Sequence, residues 1–446
     1  MKKKIFAFML AFAVACASLA GCGDSSSSSG GDSGSTADSA QGSNESESSS
    51  EGTENADLKA PVADGAIDIT QGMTENMLTR SVHYEGDTTR LANKIKEAKD
   101  SGNDKTWNIV FLGDSITAGS TTSKGEYTFV NRFTMWWKEN INKKTLFTNA
   151  GIGATNSYYG VHRLDRDVFV NTPDIIFVEF INDTGNQFYE ATMESLLRRC
   201  LAYESNPAVI LVEMSLDGGG NAQDIHSTSA EKYGVPVLSY HDAVNPEIEA
   251  GNISFKSSGG AATDTDGLSP DGTHPNDCGH LMVAQMIENF VEKVAADADS
   301  AGEITPFDTS SESITGDLYK DAKISDRGTG DITVKEQNGF EDKSSPWNFQ
   351  NGWTAEKAGD TITFEMEFKN LGMLYLKTIS GKTGIVGVNI DGEDVTTVDG
   401  DFPDGWGDYG TDVEVYRSDE TAKHTVTVTV LDGERTNFEI LGWLVS

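Results

Sequence analysis

The sequence predicts two folded domains of different class, an α/β domain built on a parallel sheet and then an antiparallel β-sandwich. Between about residues 87 and 297, short and nearly continuous apolar runs alternate with segments of helical period. That alternation is what a parallel sheet covered by helices on both faces requires. After about residue 301 the period becomes two. Ile362, Phe364, Met366 and Phe368 alternate with Thr and Glu, Val426, Val428 and Val430 alternate with Thr, and turns such as Asp391-Gly392 and Asp432-Gly433 punctuate them. A chain of 446 residues is long enough for two or three domains with sizeable cores.

The N-terminus is a targeting segment. Lys2, Lys3 and Lys4 precede an apolar run, residues 5–20, that is too short and wrongly flanked to span a membrane stably. The run ends in Leu19-Ala20-Gly21-Cys22, which resembles a bacterial lipobox. Residues 1–21 are therefore expected to be a lipoprotein signal peptide and Cys22 the lipidated first residue, anchored on the outer face of the bacterial cell membrane by burial of acyl chains. Residues 22–60 are nearly all Ser, Gly, Asp, Glu, Thr and Asn. They lack the apolar surface to offset ordering entropy, so a disordered tether spanning on the order of 30 Å is expected.

The α/β domain is assigned to residues 61–300, with regular structure beginning at about Asp87. Leu91, Ile95 and Ala98 recur at helical spacing with lysines between them. Strands are expected at 107–112, 145–148, 174–181, 208–214 and 235–240, and helices at about 127–140, 189–203, 224–233 and 279–296. In such a sheet, ligands sit beyond the carboxyl ends of the strands. Three strings fall there or on a later loop: Gly113-Asp114-Ser115, Asn182-Asp183, and Asp271-Gly-Thr-His274-Pro275. A serine becomes a nucleophile when an imidazole takes its proton and a carboxylate holds that imidazole in one tautomer. An asparagine amide can receive the developing oxyanion. Among seven histidines, His226, His241 and His280 are competitors, but His274 has an Asp three residues upstream on a Gly/Pro loop, so one loop delivers both groups. Asn182 has a second reading as a helix cap, and Asp114 reads as a hydrogen-bonder that shapes the turn. No Gly-x-Ser-x-Gly surrounds Ser115, which disfavours the α/β-hydrolase elbow.

These residues, with Asn149-Ala-Gly-Ile-Gly153-Ala154-Thr and Glu179-Phe-Ile-Asn182-Asp, resemble in order the four blocks of the SGNH hydrolases, or GDSL-type esterases, over about half the chain. The resemblance implies a flavodoxin-like three-layer α/β/α domain, with Ser115 as nucleophile, His274 as general base and Asp271 as its orienting carboxylate. It also implies an oxyanion hole from the Ser115 N–H, a second-block N–H and the Asn182 side chain. Two departures stand out. The usual second-block glycine is Ala154 here, with Gly153 before it, which leaves open whose N–H points inward. A third-block glycine is replaced by Phe180, expected to narrow the acyl side of the cleft and suit a small acyl group.

The β-sandwich, residues 301–446, resembles the jelly-roll accessory modules of some carbohydrate esterases. It is expected to pack on the catalytic domain and present a carbohydrate chain to Ser115, while being dispensable for hydrolysis of a small aryl acetate. Trp347, Trp353, Trp406 and Tyr409 read equally as sugar-stacking platforms and as core. Asp399, Asp401 and Asp404 read as solvated turn residues ahead of a calcium site, and Gly405-Trp-Gly407-Asp-Tyr-Gly410 lacks the strand-then-helix context of a dinucleotide fingerprint. No metal or other cofactor is expected: Cys278 and His280 near His274 do not make a zinc set. Cys200 and Cys278 are left unassigned between a disulfide and free thiols. A formal net charge of −36 argues against nucleic acid and anionic surfaces as partners.

The expected activity is a surface serine esterase removing small acyl groups, acetyl above all, from carbohydrate. The alternatives are a lysophospholipase or thioesterase, a non-catalytic sugar-binding lipoprotein, and a solute-binding component of a transporter.

Overall fold

The computed structural model describes residues 59–102, 104–345 and 349–446. The signal peptide, Cys22, most of the tether and Trp347 lie outside the described residues. Lys59 and Ala60, assigned above to the tether, already belong to the folded body: Ala60 is buried and its carbonyl accepts from Arg80, 3.2 Å away.

Six strands form the first sheet: β1 (Val82–Tyr84), β2 (Asn108–Gly113), β3 (Leu146–Gly151), β4 (Ile175–Val178), β5 (Ala208–Glu213) and β6 (Val237–Ser239), in the order β1-β6-β5-β4-β2-β3. Strands β2 to β6 are parallel, while β1 runs antiparallel on the β6 edge. Nine helices accompany them among the described residues: α1 (Glu75–Arg80), α2 (Thr89–Ser101), α3 (Ser115–Ala118), α4 (Phe129–Asn140), α5 (Ser157–His162), α6 (Gln187–Leu201), α7 (Gln223–Tyr233), α8 (Tyr240–Glu249) and α9 (Asp277–Ala296). Alternation along β2 divides the core. Ile109 and Phe111 join the cluster under α2, α4 and α9, and Val110 and Leu112 join the one under α5 and α6. The chain goes from β2 to β3 on one side and to β4 on the other, so the β2 carboxyl end is a topological switch point, where open α/β sheets bind ligands.

Regular structure begins before Asp87, because α1 and β1 precede it. Neither carries a long apolar run; Arg80 secures them instead, bonding the carbonyls of Ala60, Pro61 and Ala243.

The second domain is all antiparallel: β7 (Lys323–Ser325), β8 (Thr333–Asn338), β9 (Glu341–Lys343), β10 (Gly352–Ala355), β11 (Thr361–Lys377), β12 (Ile385–Ile390), β13 (Glu393–Asp399), β14 (Tyr409–Val430) and β15 (Phe438–Val445). The long strands β11 and β14 pair along their length and slip register between Phe368 and Asn370 and between Leu371 and Gly372. Bulges of this kind bend a strand. Before the slip β11 buries one face, with Ile362, Phe364, Met366 and Phe368 inward. After it both faces are buried: Leu371, Met373 and Tyr375 stay in the β-domain core, and Leu374 joins the core of the α/β domain. Leu441 and Leu444 of β15, with Phe349, Tyr319 and Ala322, do the same, so the two sheets share one continuous apolar core. Residues 301–322 run along the α/β domain: the backbone N–H groups of Ile314 and Thr315 donate to Glu194 of α6.

Candidate active site

Strand β2 ends at Gly113, where any side chain would collide: a Cβ there would lie 2.1 Å from Thr117 Oγ1 and 2.8 Å from the Glu179 carbonyl. Asp114 then caps α3 by accepting from the Ile116 N–H, and Ser115 is the first helical residue. The buried Arg163 guanidinium fixes both neighbouring strand ends, bonding the carbonyls of Gly113 (2.8 Å) and Ala150 (2.6 Å).

His274 arrives from the loop before α9. Its Nε2 lies 2.8 Å from Ser115 Oγ and its Nδ1 2.7 Å from Asp271 Oδ2. With Nδ1–H donating to the carboxylate, Nε2 presents its lone pair to the serine hydroxyl. Asp271 Oδ1 also accepts from the N–H groups of Thr273 (2.9 Å) and His274 (2.8 Å). Burial would raise the Asp271 pKa, but the bonds from the His274 ring and from these N–H groups outweigh it and hold the carboxyl well below its usual range. Gly272 takes a left-handed φ of 89°, and its carbonyl accepts from Asp217 N–H, 2.8 Å away. The loop after α3 ties the serine side to the histidine side, Thr121 Oγ1 donating to the Pro275 carbonyl at 2.8 Å.

Asn182 sits on the loop after β4. Its Nδ2 donates to Asp114 Oδ2 (3.0 Å) and to the Thr155 carbonyl (2.9 Å), and its backbone N–H also reaches Asp114 Oδ2. The helix-cap reading falls away, because Asn186 caps α6. Asp114 is fully buried, and burial, then the neighbouring Glu179 charge, push its pKa well up against the N–H bonds it accepts. None of the backbone hydrogen bonds among the described residues uses the N–H of Ser115, Gly153 or Ala154. A Cβ on Gly153 would lie 3.9 Å from Ser115 Cβ, so this loop faces Ser115. Ala154 has a φ of 58°, the left-handed region that favours glycine, and so carries strain where the resemblance expects none.

The competing histidines are engaged elsewhere. His280 Nδ1 accepts from Phe129 N–H, His241 bonds Asp242, and His226 is buried between Asp183 and Glu213. Cys200 and Cys278 are both free and buried. The expectation for Phe180 is corrected: its ring turns into the core against α5, where a Cβ on Gly160 would meet it at 2.5 Å, and does not face the cleft. Trp353 is fully buried in the β-domain core, which resolves its reading in favour of packing. Asp399 and Asp401 both pair with Arg435.

At the Gly153 loop the two domains border a cleft of about 350 Å³, lined by Gly151, Ile152 and Gly153 from the α/β domain and by Phe349, Trp406 and Tyr409 from the β-domain. Trp406 is 70% exposed and stacks on Tyr409 with ring centroids 4.7 Å apart. Asp412 of β14 accepts from Asn156 Nδ2 (3.2 Å), on the residue that caps α5.

Residues 111–282 match the family model described as GDSL-like lipase/acylhydrolase. No curated protein matches the chain. Among solved structures, the chain is similar to a two-domain esterase, CEX, active on acetylated mannans, with a TM-score of 0.74, 29% identity, and coverage of 83% of this chain and 98% of that one. A structure of such an esterase co-crystallised with mannopentaose gives a TM-score of 0.72 and 28% identity, covering 83% and 97%. The agreement spans both sheets and the segment between them. The chain is a two-domain carboxylic ester hydrolase, the first domain of which carries the GDSL-like lipase/acylhydrolase match.

Proposed function

We propose that this enzyme removes acetyl and similarly small acyl groups from carbohydrate at the cell surface, through an acyl-enzyme on Ser115. The observation that carries the chemistry is the single line of hydrogen bonds from Ser115 Oγ to His274 Nε2 and from His274 Nδ1 to Asp271. Ser115 Oγ attacks the ester carbonyl as His274 takes its proton. The resulting oxyanion is received by the N–H of Ser115, by a Gly153 or Ala154 N–H, and by Asn182 Nδ2, which shares a hydrogen now given to Asp114 or Thr155. His274 then returns the proton to the departing sugar oxygen, and the acyl group stays on Ser115. Water attacks this ester, its proton passing to His274, and the carboxylic acid leaves as Ser115 Oγ regains a proton.

The substrate class is supported by the activity of the similar two-domain esterase on acetylated mannans and by the aromatic cleft at Gly153. The cell-surface location rests on the lipobox-like Leu19-Ala20-Gly21-Cys22 and the polar stretch after it. The decisive experiment is acetate release from a panel of acetylated glycans by wild type and Ser115→Ala. Acetate from at least one glycan, abolished by the substitution, is expected. Turnover of long-chain lipid esters with none of any acetylated glycan would replace this reading by a lipid esterase.

A further inference from the structure

Below Asn182, outside the Ser115–His274–Asp271 line, the imidazole of His226 is fully buried on α7 with a carboxylate at each ring nitrogen. Its Nδ1 is 2.9 Å from Glu213 Oε1, at the end of β5, and its Nε2 is 3.0 Å from Asp183 Oδ2. A neutral imidazole has one N–H and could satisfy only one of these acceptors. Two facing carboxylates therefore call for the imidazolium, and they raise the His226 pKa to about 10 although burial acts in the opposite direction. Asp183 is the residue after Asn182, and its other oxygen, Oδ1, accepts from the N–H of Ser157 at 2.9 Å. Ser157 opens α5, two residues beyond Thr155, the carbonyl of which holds the Asn182 amide. One buried cation thus anchors a carboxylate that ties the Asn182 turn to the helix following the Gly153–Ala154 loop.

We propose that His226, as an imidazolium, is a positioning residue for the oxyanion hole: by fixing Asp183 it holds the Asn182 amide and the second-block loop in register with Ser115. The inference rests on the oxyanion role given to Asn182 above. Glu213 and Asp183 are the charged groups facing His226 from β5 and from the loop after β4. On the far side of Asp183, Ser157, whose N–H it accepts, is bonded through its hydroxyl to the neutral Thr192 of α6. His83 of β1, held by Asp242, is also within electrostatic reach of Glu213.

The test uses the full-length enzyme and a small aryl acetate. His226→Gln is expected to lower kcat at least tenfold with KM within twofold of wild type, because the ground-state ester does not need the oxyanion donors. On wild-type enzyme ¹⁵N-labelled at histidine, one imidazolium signal should persist above pH 8. Its titration should coincide with a fall in kcat, corrected for alkaline hydrolysis, while circular dichroism shows the protein still folded. This second measurement decides the matter even if His226→Gln does not fold. A kcat that stays flat through the titration, or a folded His226→Gln with wild-type kcat, overturns the proposal. Asn182→Ala run in parallel separates the layers. If Asn182→Ala is as fast as wild type, the oxyanion reading itself fails. If Asn182→Ala is slow and His226→Gln is not, only the present inference fails.

Discussion

Asp114 and Asn182 meet through a single oxygen: Oδ2 of the aspartate accepts both the backbone N–H of Asn182, at 3.2 Å, and its side-chain amide, at 3.0 Å. The residue before Ser115 therefore sets the rotamer of the proposed oxyanion donor. Removing the amide by Asn182→Ala should cost roughly 3 kcal/mol of transition-state stabilisation, about 10²-fold in kcat, with little change in KM. Steady-state kinetics on an aryl acetate measure both constants. A raised KM at constant kcat would make Asn182 a substrate contact instead.

Ser115→Ala and His274→Ala should each lose about 10³-fold or more in kcat, because such residues act as a unit. Asp271→Asn should lose less than Ser115→Ala, since nucleophile and oxyanion donors remain. Equal rates for Asp271→Asn and wild type would mean that the backbone around His274 alone orients the ring.

Ending the chain near residue 301 should abolish turnover of the aryl acetate along with that of polymer, contrary to the expectation for a separable module. Tyr158 and Tyr159 of α5 are fully buried; the first bonds Asn370 of β11 and the second stacks on Phe349. Exposing such side chains costs about 2 kcal/mol each, against a net domain stability of about 5–15 kcal/mol. Solubility and unfolding midpoint of the shortened protein are the measurements, and a soluble, active fragment would refute the prediction.

Stability should decline on the alkaline side because of His226. Its folded pKa, about 10, lies above its ordinary 6.5, so the folded state holds the proton more tightly. The contribution is fully present below about pH 6.5 and is lost as the pH rises toward 10. Thermal melts of wild type across that window should fall more steeply than those of His226→Gln. Parallel curves would show that the site is not charged.

Trp406→Ala should leave the aryl acetate unaffected and raise KM for an acetylated oligosaccharide. Stacking that removes roughly 40 Å² of apolar ring surface from water is worth about 1 kcal/mol, or about fivefold in affinity. Unchanged KM for the oligosaccharide would exclude Trp406 from the binding face.

The strings around Ser115, Asn182 and His274 were legible because each is local: a few consecutive residues announce a strand end, a turn and a role. The same holds for β2, β4 and β5, apolar over nearly their whole length. What escaped was non-local or lacked period. Helix α5 is buried on every side, so its sequence shows no amphipathic stripe, and α8 carries Pro246, which reads as a breaker. Asp183, Glu213 and His226 come from three separate segments, and no spacing links them. The family position of Phe180 points to the cleft, and only packing against Gly160 reveals the direction of its ring.

Leu374, Leu441 and Leu444 lie on strands whose opposite faces fill the core of their own sheet. Grafting this sheet onto an unrelated hydrolase would therefore leave a greasy patch open to water, and the donor enzyme would be left with another. Chimeras assembled at residue 301 should aggregate unless both surfaces are redesigned together. For protein engineering, and for gene shuffling in nature, the unit of exchange is the pair of sheets.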